Sequence, residues 1–286
     1  MHGWIPGTGR KELSYELTRV KRAREKTMYE MKYVAFVDIL GFQSKISAIG
    51  TDDKGFDKVL GALGRILEQK KDNESDTILN NKDLGVEVTT FSDCMVISWP
   101  AELDNLIPLI VGLIHLQIDL AENDILLRGG VVQGQVYHND NEVFGPAMNL
   151  AYQYESKVAF YPRIIVDADV VKNFRNSLDN EADIHLFDGM VKKDFDGFYY
   201  IDMLSQDQEF NNPECDYLPW LQHIRSIVVE GLKNENFSVQ SKYQWLKMKL
   251  NSLVTDEHAC FPYPEGEMYD DIDSCRSAYL ELEIVG

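Results

Sequence analysis

Two carboxylates stand where a sheet would hand them to a ligand. The apolar run Tyr33-Val34-Ala35-Phe36-Val37 ends on Asp38 and is followed by Leu40-Gly41-Phe42. That is the pattern of a buried central strand with a tight exit, so the strand carries an acid at its own C-terminal end. A second acid, Asp93, lies 55 residues on, in the Ser92-Asp93 pair between Val86-Val88-Phe91 and Met95-Val96-Ile97, which predicts a hairpin over 86–98 with the acid in its turn. Both acids are expected at one sheet edge. Carboxylates so placed can hold a divalent ion that bridges them to phosphate. Taken alone, Asp38 reads equally well as a helix N-cap; the hairpin acid tips the reading toward metal.

The elements around these acids set the fold class. Residues 1 to about 10 read as a loose start and Lys11 to Met31 as a helix, together an N-terminal arm over 1–31. The spacing of Val59, Leu60, Leu63, Ile66 and Leu67 predicts a helix over 56–71, and a buried helix is expected over about 103–122. Ile125 to Val136 is strand-like, with Gly129, Gly130 and Gly134 marking a bulge or a close backbone approach. Pro146 suits the first turn of a helix running to about Val158, and Ile164 to Val166 and Phe198 to Met203 are strands. This mixed order predicts an α+β core over 32–204, a mixed or antiparallel sheet with packed helices and not a doubly wound parallel fold. Over 205–286 a C-terminal extension is expected, with helices near 218–233 and 239–253 and a tail holding nine acids against one arginine from Asp256 onward.

Composition narrows the partners. With 28 Lys+Arg against 47 Asp+Glu the net charge is -19, and the first 32 residues alone carry +4. The general attraction to phosphate backbones that supports nucleic-acid binding is missing, so neither nucleic acid nor an anionic membrane surface is an expected partner. A hydrophobic content of 44% argues for an ordinary core and against disorder. The four cysteines show no CxxC spacing, and no signal-like segment opens the chain; a reducing cytoplasm is the expected location.

Three segments together resemble the catalytic core of class III nucleotidyl cyclases: Phe36-Val37-Asp38-Ile39-Leu40-Gly41-Phe42, then Phe91-Ser92-Asp93, then Arg128 to Gly134 leading into Phe144-Gly145-Pro146-Ala147-Met148-Asn149. With Tyr161-Pro162-Arg163 the set is most similar to the bacterial pyrimidine cyclases of the Pycsar antiphage systems. The resemblance implies a cyclase fold over residues 32 to about 203. It implies that Asp38 and Asp93, with the Ile39 carbonyl, hold two divalent ions, Mn2+ or Mg2+, and that the Leu40, Gly41 and Phe42 amides cradle phosphate. Asn149 matches the asparagine that orients the ribose from the opposite subunit, which implies a homodimer with composite sites. The family's transition-state arginine position is Gln153 here, so Arg163 and Arg128 are the expected substitutes, Arg128 being equally well read as a strand residue anchored by an ion pair. Lys192 and Lys193 fall where the family can place a triphosphate lysine, though solvated surface is the stronger reading.

The positions that read the purine in adenylate cyclases are Thr89 and Glu142 here. A short hydroxyl cannot reach a purine edge as a lysine does, while Glu142 could accept from uracil N3–H or the cytosine amine. The expectation is therefore a cyclase converting UTP, or CTP, to a cyclic mononucleotide that gates a separate effector in antiphage defence. Purine cyclisation, or a degenerate nucleotide-binding module, is the alternative. The remaining candidates read as structure: His115, His138 and His223 lack metal-ligand spacing, Cys94 reads as a packed strand residue, and Tyr243, Trp245 and Leu246 anchor a C-terminal helix.

Overall fold

The computed structural model describes residues 29–42, 61, 64, 85–139, 142–205, 213–255 and 272–284. The basic arm up to residue 28, nearly all of the helix expected over 56–71 and much of the acidic tail lie outside the described residues. One eight-stranded mixed sheet organises the rest, in the α+β class expected. Its strands are β1 (Glu30–Ile39), β2 (Glu87–Phe91), β3 (Cys94–Pro100), β4 (Leu127–His138), β5 (Val143–Phe144), β6 (Ile164–Val166), β7 (Val191–Lys193) and β8 (Tyr199–Ile201). The order is β2-β3-β1-β4-β6-β8-β7, with β5 paired to β4. Among the described strands only β4 and β6 run parallel. Glu30 and Met31, at the end of the expected leading helix, already belong to β1, whose pairing with β4 from Glu30 onward overrides local helix preference.

The apolar run of β1 is continuous because both its faces are covered. Tyr33, Ala35, Val37 and Ile39 pack against α1 (Leu106–Ala121), whose Leu106, Leu109, Ile110, Leu113 and Leu120 are fully buried. Each such side chain contributes about 1.5–3 kcal/mol on leaving water. The alternate residues Val34 and Phe36 meet Val96, Val132 and Val136, and are roofed by Ala147 and Ala151 of α2 (Pro146–Gln153). Side chains alternate along a strand, so Asp38 belongs to this second face. Pro146 does open α2, which continues as a π-helical turn over Tyr154–Val158. Of the β4 glycines expected at a close approach, Gly130 shows why. A Cβ there would collide with the Tyr154 Cβ and lie 2.9 Å from the Ala151 carbonyl oxygen.

Two helices fall where the sequence reading placed none. These are α3 (Ala168–Arg175), capped by Asp167 on the Asp169 and Val170 amides, and α4 (Glu181–Met190), capped by Asn180 on the Asp183 amide. The C-terminal helices α5 (Pro213–Gly231), α6 (Phe237–Leu253) and α7 (Ile272–Leu280) follow. They do not stand apart from the sheet: Leu221, Ile224, Trp245, Leu246 and Leu250 share a core with Ile165 of β6 and Tyr200 of β8.

Candidate functional site

The hairpin and the central strand bring the two acids together. Cys94 is directly opposite Asp38 across the β1–β3 pairing, and the Ile39 amide donates to the Asp93 carbonyl at 3.2 Å, fastening the turn to the end of β1. Ser92 takes a left-handed φ of 56° in that turn, a conformation uncommon outside glycine, asparagine and aspartate. The result is that one ligand atom each of Asp38, Asp93 and Cys94 lie within 4.8 Å of one another. Asp38 sits in the strand, so the N-cap reading does not apply. The Cys94 thiol donates to Asp38 Oδ1 at 3.4 Å and lies 3.9 Å from Asp93 Oδ1. Burial, and after it the neighbouring carboxylates, pushes this thiol well above its usual range, so it stays protonated.

Asp38 faces a cation on its other side. Arg128 is its cross-strand partner on β4, and its Nε and Nη2 donate to Asp38 Oδ2 at 3.1 and 3.0 Å. The same Nη2 lies 2.6 Å from Oε1 of Glu155, a carboxylate on the π-helical turn that is only 3% exposed. Burial raises the Glu155 carboxyl to about 7, opposed by Arg128 and reinforced by Asp38, through its charge and a side-chain hydrogen bond, and by the charge of Asp93. Glu155 went unnoticed in sequence because nothing in its local pattern marks it; the signal available was only its place two residues after Gln153.

Two carboxylates and a thiol, hard donors with one soft one among them, fit a divalent ion held mainly by oxygen, and Asp38 and Asp93 are the residues that would hold it. The backbone beside them is only partly available for phosphate. The Leu40 amide, expected in the cradle, donates to the Leu126 carbonyl at 2.8 Å, because the chain leaving β1 still follows the strand beside it. Gly41, at φ 73°, makes the turn that follows, and Phe42 comes after it.

Arg163, expected as a substitute transition-state arginine, is committed to other partners. It is 1% exposed, its guanidinium paired with Asp194 and Asp196, and it lies over the rings of Tyr161 and Trp245. Its charge is consumed in the core beneath α6. Lys192 is 3.5 Å from Asp202, and Lys193 lies over the Tyr199 ring. Both stand on β7, four strand positions from β1, roughly 19 Å away at the usual strand spacing. Neither reaches Asp38 of its own chain, which agrees with the surface reading.

The Thr89 hydroxyl is committed as well. The far end of β4 brings His138 to β2 and β3, and Nε2 lies 2.9 Å from Thr89 Oγ1 while Nδ1 lies 2.8 Å from Ser98 Oγ. Glu142 is exposed, its amide bonded to the Asn139 side chain. Asn149 is exposed on the side of α2 turned away from the Ala147–Ala151 seam, with exposed Leu150, Tyr152 and Phe144 nearby in sequence.

No family model matches the chain, and no curated protein does. Among solved structures, the catalytic core of a rhodopsin-guanylyl cyclase with converted specificity, in complex with ATPαS, is similar. The identity is 17%, the TM-score 0.36, and the match covers 61% of this chain and 96% of that one. A likeness of that degree decides nothing about activity, which has to be argued from the chain's own residues.

Proposed function

We propose that the chain is a nucleotidyl cyclase that converts a pyrimidine nucleoside triphosphate, UTP in preference to CTP, to the 3',5'-cyclic mononucleotide. The 3'-oxygen attacks the α-phosphorus, the bond to the β-phosphate breaks, and pyrophosphate leaves. The observation that carries this reading is the convergence of Asp38 and Asp93, 55 residues apart, beside the cationic Arg128. Two divalent ions bound there would acidify the ribose hydroxyl and hold the triphosphate. Asp38 and Asp93 bind, Gly41 and Phe42 offer amides to phosphate, and Arg128 offers charge to the transferring group. Exposed Asn149 beside apolar side chains supports a homodimer in which it serves the partner's site. With Thr89 held by His138, base reading falls to Glu142, whose carboxylate suits the N3–H of uracil. The product would act in the cytoplasm as a second messenger of antiphage defence, gating a separate effector.

A second reading, a nucleotide-binding module without turnover, is favoured by Gln153 and by the commitment of Arg163 to Asp194 and Asp196. Incubation with each of the four triphosphates and Mn2+, with product identification, separates the readings. The cyclase reading expects a cyclic pyrimidine nucleotide. Asp38→Asn should lower its formation more than ~100-fold, since even residues that only orient metal ligands cost 10–100-fold. Conversion of ATP alone would defeat the pyrimidine assignment, and binding without pyrophosphate release would establish the module.

A further inference from the structure

We infer that Arg128 is a shared counter-ion and that Glu155 is the positioning residue that takes it from Asp38 when Asp38 binds a divalent ion. The inference rests on the metal reading of Asp38 and Asp93 and goes beyond it in naming what that binding requires of the rest of the site.

The two oxygens of Asp38 face different partners. Oδ1 is turned to Cys94 and the Asp93 side, while Oδ2 accepts both Nε and Nη2 of Arg128. An arginine cannot shed its proton, so a divalent ion arriving at Asp38 meets a fixed positive charge on the same carboxylate. Either Arg128 opposes the ion or another anion holds it. Glu155 is the carboxylate placed to do so. Its Oε1 already lies 2.6 Å from Nη2 as an ion pair, accepts no hydrogen bond, and among the described residues this guanidinium is the one cation paired with it.

The backbone holds Glu155 for this task. It lies in a π-helical turn, an irregularity often found at functional sites. That turn is fixed on both sides of the site. Tyr154 packs on Gly130, two residues from Arg128 along β4, and its hydroxyl donates to Asp167 Oδ2 at 2.6 Å. With its anchor fastened to β4 itself, the Glu155 carboxylate keeps its position as the guanidinium moves between the two acids.

Mn2+ binding to the purified protein, read by electron paramagnetic resonance and calorimetry without nucleotide, tests this. Glu155→Gln should bind Mn2+ about tenfold more weakly or worse, the range found for residues that orient metal ligands. Glu155→Asp, which keeps the charge on a shorter arm, should fall between, so that a loss in the glutamine variant is not mistaken for misfolding. Arg128→Gln should bind Mn2+ at least as tightly as the wild type, and adding Glu155→Gln to it should change nothing further. Equal Mn2+ affinity in wild type and Glu155→Gln overturns the inference. So does a loss in the double variant as large as in the single one, which would mean that Glu155 acts on the ion directly. If the wild type binds no Mn2+, or Asp38→Asn binds it as well, the metal reading falls and this inference with it.

Discussion

At the scale of single residues, His138 shows how a buried polar group can be kept neutral. Its two ring nitrogens each face a hydroxyl, of Thr89 and Ser98, and neither hydroxyl offers the negative charge that an imidazolium would need. Burial lowers its pKa from 6.5 to about 4, and the nearby Lys32 pushes the same way. The unfolded chain therefore binds this proton before the folded one does, so stability present above pH 6.5 is lost as pH falls through about 4. The loss from this group alone is roughly 3 kcal/mol. Urea denaturation at pH 7 and pH 4.5 checks it: the difference between wild type and His138→Asn should shrink toward the lower pH. Cys94 teaches a related lesson, since its hydrogen bond to Asp38 is available only while burial keeps it a thiol.

At the scale of elements, the C-terminal helices are joined to the sheet by charge as well as by apolar contact. Asp194, just after β7, accepts from Arg163, from Trp245 Nε1 at 2.8 Å and from Lys249 Nζ at 2.7 Å, so one carboxylate joins β6, β7 and α6. Burial would raise its pKa, but the bonds from Lys249, the Phe195 amide and Trp245 outweigh that and hold it below the usual range. Removing Asp194 leaves Arg163 with Asp196 alone and takes the acceptor from Trp245 and Lys249, and breaking a buried pair in this way typically costs about 3–5 kcal/mol. Asp194→Ala should accordingly lower the urea midpoint. Amide exchange should show α6 losing protection before β1 and β3, whose cores do not depend on this carboxylate. An unchanged midpoint would show that Tyr161, Tyr200 and their apolar neighbours alone hold the helix.

At the scale of the whole molecule, the net charge of -19 and the proposed substrate oppose each other, because an acidic protein repels a triphosphate unless a divalent ion intervenes. Turnover should therefore vanish on chelation. The proposed composite site makes a second demand. Asp38→Asn removes one chain's contribution and Asn149→Ala the other's, so each homodimer should be inactive. Equal mixing after subunit exchange should restore about a quarter of wild-type activity, because half the dimers are mixed and each mixed dimer has one intact site. No recovery on mixing would place Asn149 in its own chain's site, and an active Asn149→Ala homodimer would place it outside any.

The residues themselves determined a good deal. An apolar run ending on Asp38 specifies a strand buried on both faces, and the hairpin over 86–98 with Asp93 in its turn is written in local periodicity, as are Pro146 at a helix start and the close approach at Gly130. These features depend on neighbours in sequence. The short helices α3 and α4 were missed although Asp167 and Asn180 were there as caps, since caps without a long apolar stripe are a faint signal. What only the tertiary structure decided is who neutralises whom. Arg163 and Arg128 are alike in composition and strand context, yet one is committed to Asp194 and Asp196 and the other lies between Asp38 and Glu155. A guanidinium pairs with whichever carboxylates the fold brings within reach, and those come from residues 27 to 90 positions away along the chain, a separation on which local pattern carries no information.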